Sequence, residues 1–454
     1  MSETRQESKL IRNLGFWDLM GIAIGQIIGV GIMSSTGVAI GMTGTGVVLV
    51  YLLSPFLVIM CIYPFGILGS ACPSCGGPYR YVSRVIGKGP GMIYLLLHIT
   101  SNLMISSFAL SFASYLASII TGLNQHVIAM IVMTFFYITN LVGTKSAALL
   151  NKIVSVVMIG GLLCFVAFGI GKVDVGYVFA PSNLFMKGGF GFISAVALLS
   201  SATSGAQAVA ELGAETKDPA RTIPRVMVIS TFSVGVFYVL IAMVACGVLP
   251  IDTVANQPLS LVAQETMPVA VFYIFVIGAA LGATASTLNA TLSWVTKPIL
   301  VACDDGMLPK SLGTVSKQGV PYKLLTIYYI FGMIPLVTGL DLATIQKFTV
   351  ANSLLSRLFV CVTLYLFASR HGDVLLNCPL KMSPGKAKVF AVAGFIVLVI
   401  LSSSLLMNLS INVVIFLAAL VIITLIYTAT YAKNITLEND LLVDYTTGEA
   451  DENE

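Results

Sequence analysis

Gly25-Gln26-Ile27-Ile28-Gly29-Val30-Gly31-Ile32-Met33 is the stretch whose reading decides the fold. It lies inside an apolar run from Phe16 to Ile40 that is long enough to cross a bilayer, yet it puts three glycines where a membrane helix should be stiffest. Glycine weakens a helix, and unwound backbone is tolerated at membrane depth only where protein buries it or where it lines a cavity. An interrupted first helix of this kind points to the binding site of a secondary transporter.

The rest of the chain fits that reading. Of its 454 residues, 57% are apolar and 10% charged, against roughly 45–50% and 25% in an ordinary soluble domain. A mean hydropathy of +0.96 leaves no room for a sizeable soluble domain. Apolar stretches recur at 16–40, 46–70, 91–119, 125–142, 148–171, 190–212, 226–249, 269–300, 323–340, 344–369, 387–408 and 411–432. Each is of the length that a membrane helix needs, so the expected fold class is an all-α integral membrane protein with twelve transmembrane helices. The first span is too long and too internal for a cleaved signal peptide.

Lysine and arginine set the orientation. With the N-terminus inside, every basic residue except Lys172, Lys187, Lys347 and Arg357 falls in a cytoplasmic segment, and Arg357 falls within a span. The positive-inside rule is then met nearly loop by loop, which supports the span count and places both termini in the cytoplasm. The net charge of +4 reflects this sidedness and gives no indication of nucleic-acid binding. None of the eight cysteines is expected on the oxidising face, so disulfides are not expected. Cys72-Pro-Ser-Cys75 has metal or redox spacing but no second pair or histidine cluster, and is read as coincidence. The segment after Asn434 is an acidic tail, expected to be disordered.

The sixth span carries a second interruption, Ser200-Ser-Ala-Thr-Ser-Gly205-Ala-Gln207, with no large apolar side chain. Small residues also serve helix–helix packing. Spans 1 and 6, however, would open two five-helix halves, and matching breaks in both halves are what an inverted repeat predicts. Half-helix N-termini offer N–H groups and a positive dipole end to a carboxylate. Half-helix C-termini offer carbonyls to an ammonium group. A zwitterion matches such a site without any charged side chain.

The residues at this point resemble a known family. From about residue 12 to 432 the chain looks like a member of the amino acid–polyamine–organocation (APC) superfamily, close in pattern to bacterial amino acid permeases and antiporters. Gly25 to Met33 matches the first-helix signature G-x-I-[IM]-G-[SA]-G-[IV]-F, and Pro73 to Tyr81 matches P-x-x-G-G-x-Y-x-Y. Glu215 to Pro224 matches E-x-K-[ND]-P-x-R-x-[IV]-P, and Asp304 to Pro309, then Gly319-Val-Pro321, match the segment after helix 8. The resemblance implies a LeuT-type five-plus-five inverted repeat with broken helices 1 and 6 and two trailing helices. Its parts would be a tail over 1–13, repeats over 14–171 and 188–370, helices 11 and 12 over 386–432, and a tail over 433–454.

Carried over by position, the backbone of Gly29, Val30, Gly31 and Ile32 would receive the substrate carboxylate. Ser201, Ala202, Thr203, Ser204 and Gly205 would face its amino group and side chain. Asn102, Ser106, Asn352 and Ser353 would line the pocket. The resemblance implies an amino acid substrate, the bilayer as the only other partner, no metal or cofactor, and no chemistry on the substrate, so no enzyme. Nothing in the chain specifies an oligomeric state.

Departures from the family pattern narrow the mechanism. Aromatic gates of relatives fall near Ser201 and Thr291, both small here. A glutamate of diamine exchangers is replaced by Gln207, which argues against polyamines. A lysine on helix 5 of some relatives is matched by Met158, which leaves no obvious proton carrier and favours exchange. Arg357 lies mid-span with no acidic residue at its depth, at a cost of at least about 2.5–3.5 kcal/mol if unpaired. Either carbonyls freed by a broken helix satisfy it, or it faces a second carboxylate on the substrate. His98 is read as a packing residue or a proton relay. Asp18, Glu211, Lys297 and Asp304 share the cytoplasmic layer and could close an inner gate.

The expected function is secondary active exchange of small neutral or acidic amino acids by alternating access at the cell membrane. A proton-coupled uptake permease and a non-transporting amino acid sensor are the alternatives. A channel is disfavoured because no ring of like charges or repeated pore loop is present.

Overall fold

The computed structural model describes residues 15–72, 77–142, 147–206, 209, 216, 219–316, 319–378, 380–433, 435–437 and 441, with backbone alone at 147–153, 155, 219 and 220. Gln207, Glu211 and nearly all of both tails lie outside the described residues.

The described chain is helical and contains no sheet. The first apolar run forms two helices, α1 (Phe16–Ile27) and α2 (Val30–Thr43), separated by Ile28 and Gly29 in extended conformation. α3 (Val47–Ala71) follows, then the short amphipathic α4 (Gly77–Val85), whose Tyr79 and Tyr81 are buried. The third apolar run is also interrupted. α5 (Lys88–Ser101) and α6 (Met104–Ala117) flank a turn at Asn102 and Leu103 that the apolar pattern does not disclose. α7 (Gln125–Val142) and α8 (Ala147–Gly169) complete the first half.

In the second half, α9 (Gly188–Ala202) stops at Thr203, so the run expected over 190–212 ends as a helix well before its last residue. α10 (Pro219–Gly247) leads to a compound helix: α11 (Val269–Ile274), a π-helical turn over Phe275–Leu281, α12 (Gly282–Trp294) and α13 (Lys297–Asp304). α14 (Tyr322–Val337), α15 (Leu342–Arg370), α16 (Pro384–Leu406) and α17 (Ile411–Thr430) close the chain.

Among the described residues eight stretches are long and apolar enough to cross a membrane, and Phe16–Ile27, Val156–Lys172, Gly188–Ala202 and Tyr322–Val337 are shorter apolar helices. Peripheral helices turn large apolar side chains outward: Ile131 and Phe135 on α7 are each 59% exposed, and Ile415, Phe416 and Ile423 on α17 are similarly open. In water such faces would drive aggregation, whereas in a bilayer they meet lipid. The protein is a multi-pass membrane protein. α2, α3, α9 and α15 pack on one another around a buried core that mixes small residues with Ile32, Met33, Tyr51 and Leu198.

Candidate functional site

The two interruptions cross each other. A Cβ on Gly31 would lie 2.9 Å from Ala202 Cα, so only glycine lets the start of α2 rest on the end of α9. Gly205, at φ +148°, sits against the end of α1, where a Cβ would fall 2.7 Å from the Gln26 carbonyl oxygen. Both glycines are there for backbone proximity, and Gly205 also for a φ that L-residues rarely adopt.

The helix ends at this crossing are partly capped by side chains that the sequence reading did not single out. The Tyr238 hydroxyl of α10 donates to the Ile27 carbonyl at 3.1 Å and also lies against the Gly29 N–H. Its ring stands edge-on to Tyr51, whose hydroxyl pairs with Thr36 Oγ1 at 2.8 Å. Thr203 Oγ1 donates to the Leu199 carbonyl and Ser204 Oγ to the Ser201 carbonyl, closing the last turn of α9. The first turn of α2 has no side-chain cap. Among the described residues the N–H groups of Val30, Gly31 and Ile32 have no hydrogen-bond partner, which leaves the anion-binding end of a half-helix available. Thr287 on α12 faces Gly29, its Oγ1 3.8 Å from where a Cβ would be.

The other residues expected at the site divide. Arg357 Nη2 donates to Ser204 Oγ at 3.4 Å, which brings α15 to the α9 break, and Nη1 is shielded without a partner among the described residues. Asn352 is fully buried, with neither amide atom hydrogen-bonded among the described residues. Ser353 lies on the same helix, its carbonyl accepting from Ser356. Asn102 ends α5 and donates to the His98 carbonyl at 2.9 Å. Ser106 points elsewhere, donating to the Gly332 carbonyl of α14 at 2.6 Å and fully buried there. Thr291 is buried and bonded to the Thr287 carbonyl. His98 is flanked by Tyr94 and Trp294 rings at 6.3 and 6.2 Å, with both ring nitrogens near the Asn102 amide.

At the face carrying α4, Asp18 is exposed and accepts the Gly15 N–H of its own helix start, and Lys297 and Asp304 are exposed as well. Among the described residues none of the three joins an ion pair. The pair in this layer is instead Arg84–Asp305, bidentate at 2.7 and 2.8 Å and well shielded, tying α4 to the end of α13.

The opposite face is open. A cavity of about 570 Å³ is lined by Lys187, Lys347, Asp341, His126, Asn256 and Gln257, among others. Partial burial would raise the Asp341 carboxyl, but hydrogen bonds from the Thr344 N–H and hydroxyl outweigh it and hold the group below the usual carboxylate range. A smaller recess shares Asn256, Gln257 and Leu342 with this cavity and is lined also by Met33, Ser34 and Tyr115. Gln346 Nε2 donates to Ser34 Oγ at 2.9 Å, and the Tyr115 hydroxyl donates to the Met33 carbonyl at 2.8 Å. Met33 and Ser34 stand on α2 within one turn of Gly31, where that helix crosses α9.

Interrupted helices that cross one another inside a helical membrane protein, with a cavity on one face, are features found in transporters. The amino acid permease family model matches residues 14–431, and the chain belongs to that family. It is 28% identical over 425 residues to the branched-chain amino acid permease BcaP of Bacillus subtilis, covering 86% of this chain and 89% of that one. The methylthioribose transporter of the same organism is 27% identical over 68% of this chain and 71% of its own. The serine/threonine exchanger SteT, also of B. subtilis, is 25% identical over 52% of this chain and 55% of its own.

Proposed function

We propose that this chain is a secondary active exchanger of small amino acids, holding the zwitterion between the two breaks and alternating access by rocking the broken-helix elements around it. The observation that carries this reading is the crossing of Gly31 on Ala202 and of Gly205 on the end of α1. It sets the uncapped N–H groups of α2 beside the carbonyl end of α9, the donors and acceptors that a carboxylate and an ammonium group need. The eight long stretches and four short apolar helices then make twelve crossings, arranged as repeats over 14–171 and 188–370 with helices over 386–432. Both termini and α4 face the cytoplasm of a plasma-membrane protein, and the cavity at Lys187 and Lys347 is the outer vestibule.

Exchange is favoured over proton coupling by what surrounds the site. Met158 is buried on α8 where a cation would substitute for a coupling ion. His98 is packed between two rings and an amide. The serine/threonine exchanger among the relatives supports the same choice.

The test is uptake of labelled amino acids into proteoliposomes that are loaded with the same unlabelled compound or left empty. Exchange predicts uptake at least tenfold faster into loaded vesicles. Equal uptake into empty vesicles driven by an inward proton gradient would replace exchange with proton-coupled uptake. Binding without flux would make the chain a sensor.

A further inference from the structure

Buried polar groups without partners gather on one helix. Among the described residues, shielded side-chain atoms lacking a hydrogen bond include Gln346 Oε1, both amide atoms of Asn352, and Arg357 Nη1, all on α15. Native interiors leave few such groups, and each signals strain, water or a ligand. The stretch that holds them bridges the candidate site: Gln346 bonds Ser34 on α2 at one end, and Arg357 meets Ser204 beside the α9 break at the other.

The hydrogen bonds around Arg357 orient it. Ser204 Oγ gives its proton to the Ser201 carbonyl and so accepts from Nη2. One edge of the guanidinium is thereby fixed, and Nη1 is left facing a partner that the described residues do not supply. Cys61, Tyr94 and Cys361 surround it, and none carries a carboxylate. A planar guanidinium fixed along one edge is shaped for a carboxylate on the other.

We infer that α15 reads the substrate's side chain, that Arg357 receives a side-chain carboxylate there, and that the preferred substrate is an acidic amino acid of the aspartate or glutamate kind. The inference rests on the reading of this chain as an amino acid exchanger. A valine in the same place would leave Nη1 unmet, and a serine hydroxyl would accept from it without balancing its charge. An acidic amino acid carries one net negative charge, which the guanidinium cancels.

Competition in loaded proteoliposomes tests this, with aspartate and glutamate set against their isosteres asparagine and glutamine and against serine and valine. The wild type should exchange an acidic substrate at least tenfold better than its amide. Arg357→Met should lower the ratio of acidic to neutral exchange tenfold or more, Arg357→Lys should lower it less, and Ser204→Ala should lower it modestly. Monodisperse elution of each variant in detergent serves as the folding control. The inference is overturned if the wild type exchanges neutral amino acids but not acidic ones, while the exchanger reading stands. It is also overturned if Arg357→Met leaves the ratio within twofold. A chloride requirement for neutral exchange that Arg357→Met abolishes would assign an inorganic anion to the site. The same loss of acid preference in Glu211→Gln would assign an internal partner. Silence across the whole panel would sink the exchanger reading and this inference together.

Discussion

Tyr238 is where one hydroxyl does most to define the site. It holds the Ile27 carbonyl at 3.1 Å and lies against the Gly29 N–H, so the two extended residues between α1 and α2 are pinned from α10. Tyr238→Phe keeps the ring and its edge-on contact with Tyr51 but leaves both backbone groups buried and unpaired. Such groups cost about 1–3 kcal/mol, so substrate binding should weaken by roughly tenfold. Equilibrium binding of the best substrate, measured together with thermal unfolding in detergent, checks it. Unchanged affinity would mean that packing alone shapes the break. The break itself was legible because glycines inside an apolar run have few other uses. Tyr238 was not legible, because an isolated tyrosine in an apolar span declares that its hydroxyl needs a partner without naming which.

At the scale of elements, the sequence reading separated well from the structure in a consistent direction. Breaks in the backbone, at Gly29 and Gly31 and before Gly205, were readable from glycines and small residues placed inside apolar runs. Positions set by which face of a helix meets which neighbour were not. Ser106 was expected in the pocket and instead bonds Gly332 of α14, and the turn at Asn102 and Leu103 has no glycine or proline to announce it. Charges in the α4 layer were read as a group, but pairing depends on register: Asp305, rather than the adjacent Asp304, reaches Arg84. With side chains only 3% and 13% exposed, that pair is a structural tie between α4 and α13. Removing one partner strands a shielded charge, at about 3–5 kcal/mol. Asp305→Asn should therefore lower the unfolding temperature in detergent markedly. The charge-swapped pair Arg84→Asp with Asp305→Arg should recover part of the loss. If each single variant melts within a degree of the wild type, the tie contributes nothing to the closure of that face.

The whole molecule is open at the Lys187 face and tied at the α4 face, and Gln346 bonds α15 to α2 near the crossing of the breaks. An exchanger must pass between this arrangement and its opposite when loaded and must resist doing so when empty. Arg357 offers a physical reason for that difference. With the site empty, its guanidinium stays uncompensated in the middle of the bundle as both faces close, at roughly 2.5–3.5 kcal/mol. An anionic side chain in the site removes that cost. A barrier higher by this amount slows the empty protein by about a hundredfold, which is enough to make flux depend on substrate from both sides. Arg357→Met should then raise net uptake of a neutral amino acid into empty vesicles by tenfold or more over the wild type. Arg357→Lys, which keeps the charge, should remain coupled. Net uptake and exchange measured in the same vesicle preparation decide the matter. Net uptake that does not rise in Arg357→Met would place the restraint on the empty protein in the bonds of Gln346 and Tyr115 to α2 rather than in the charge.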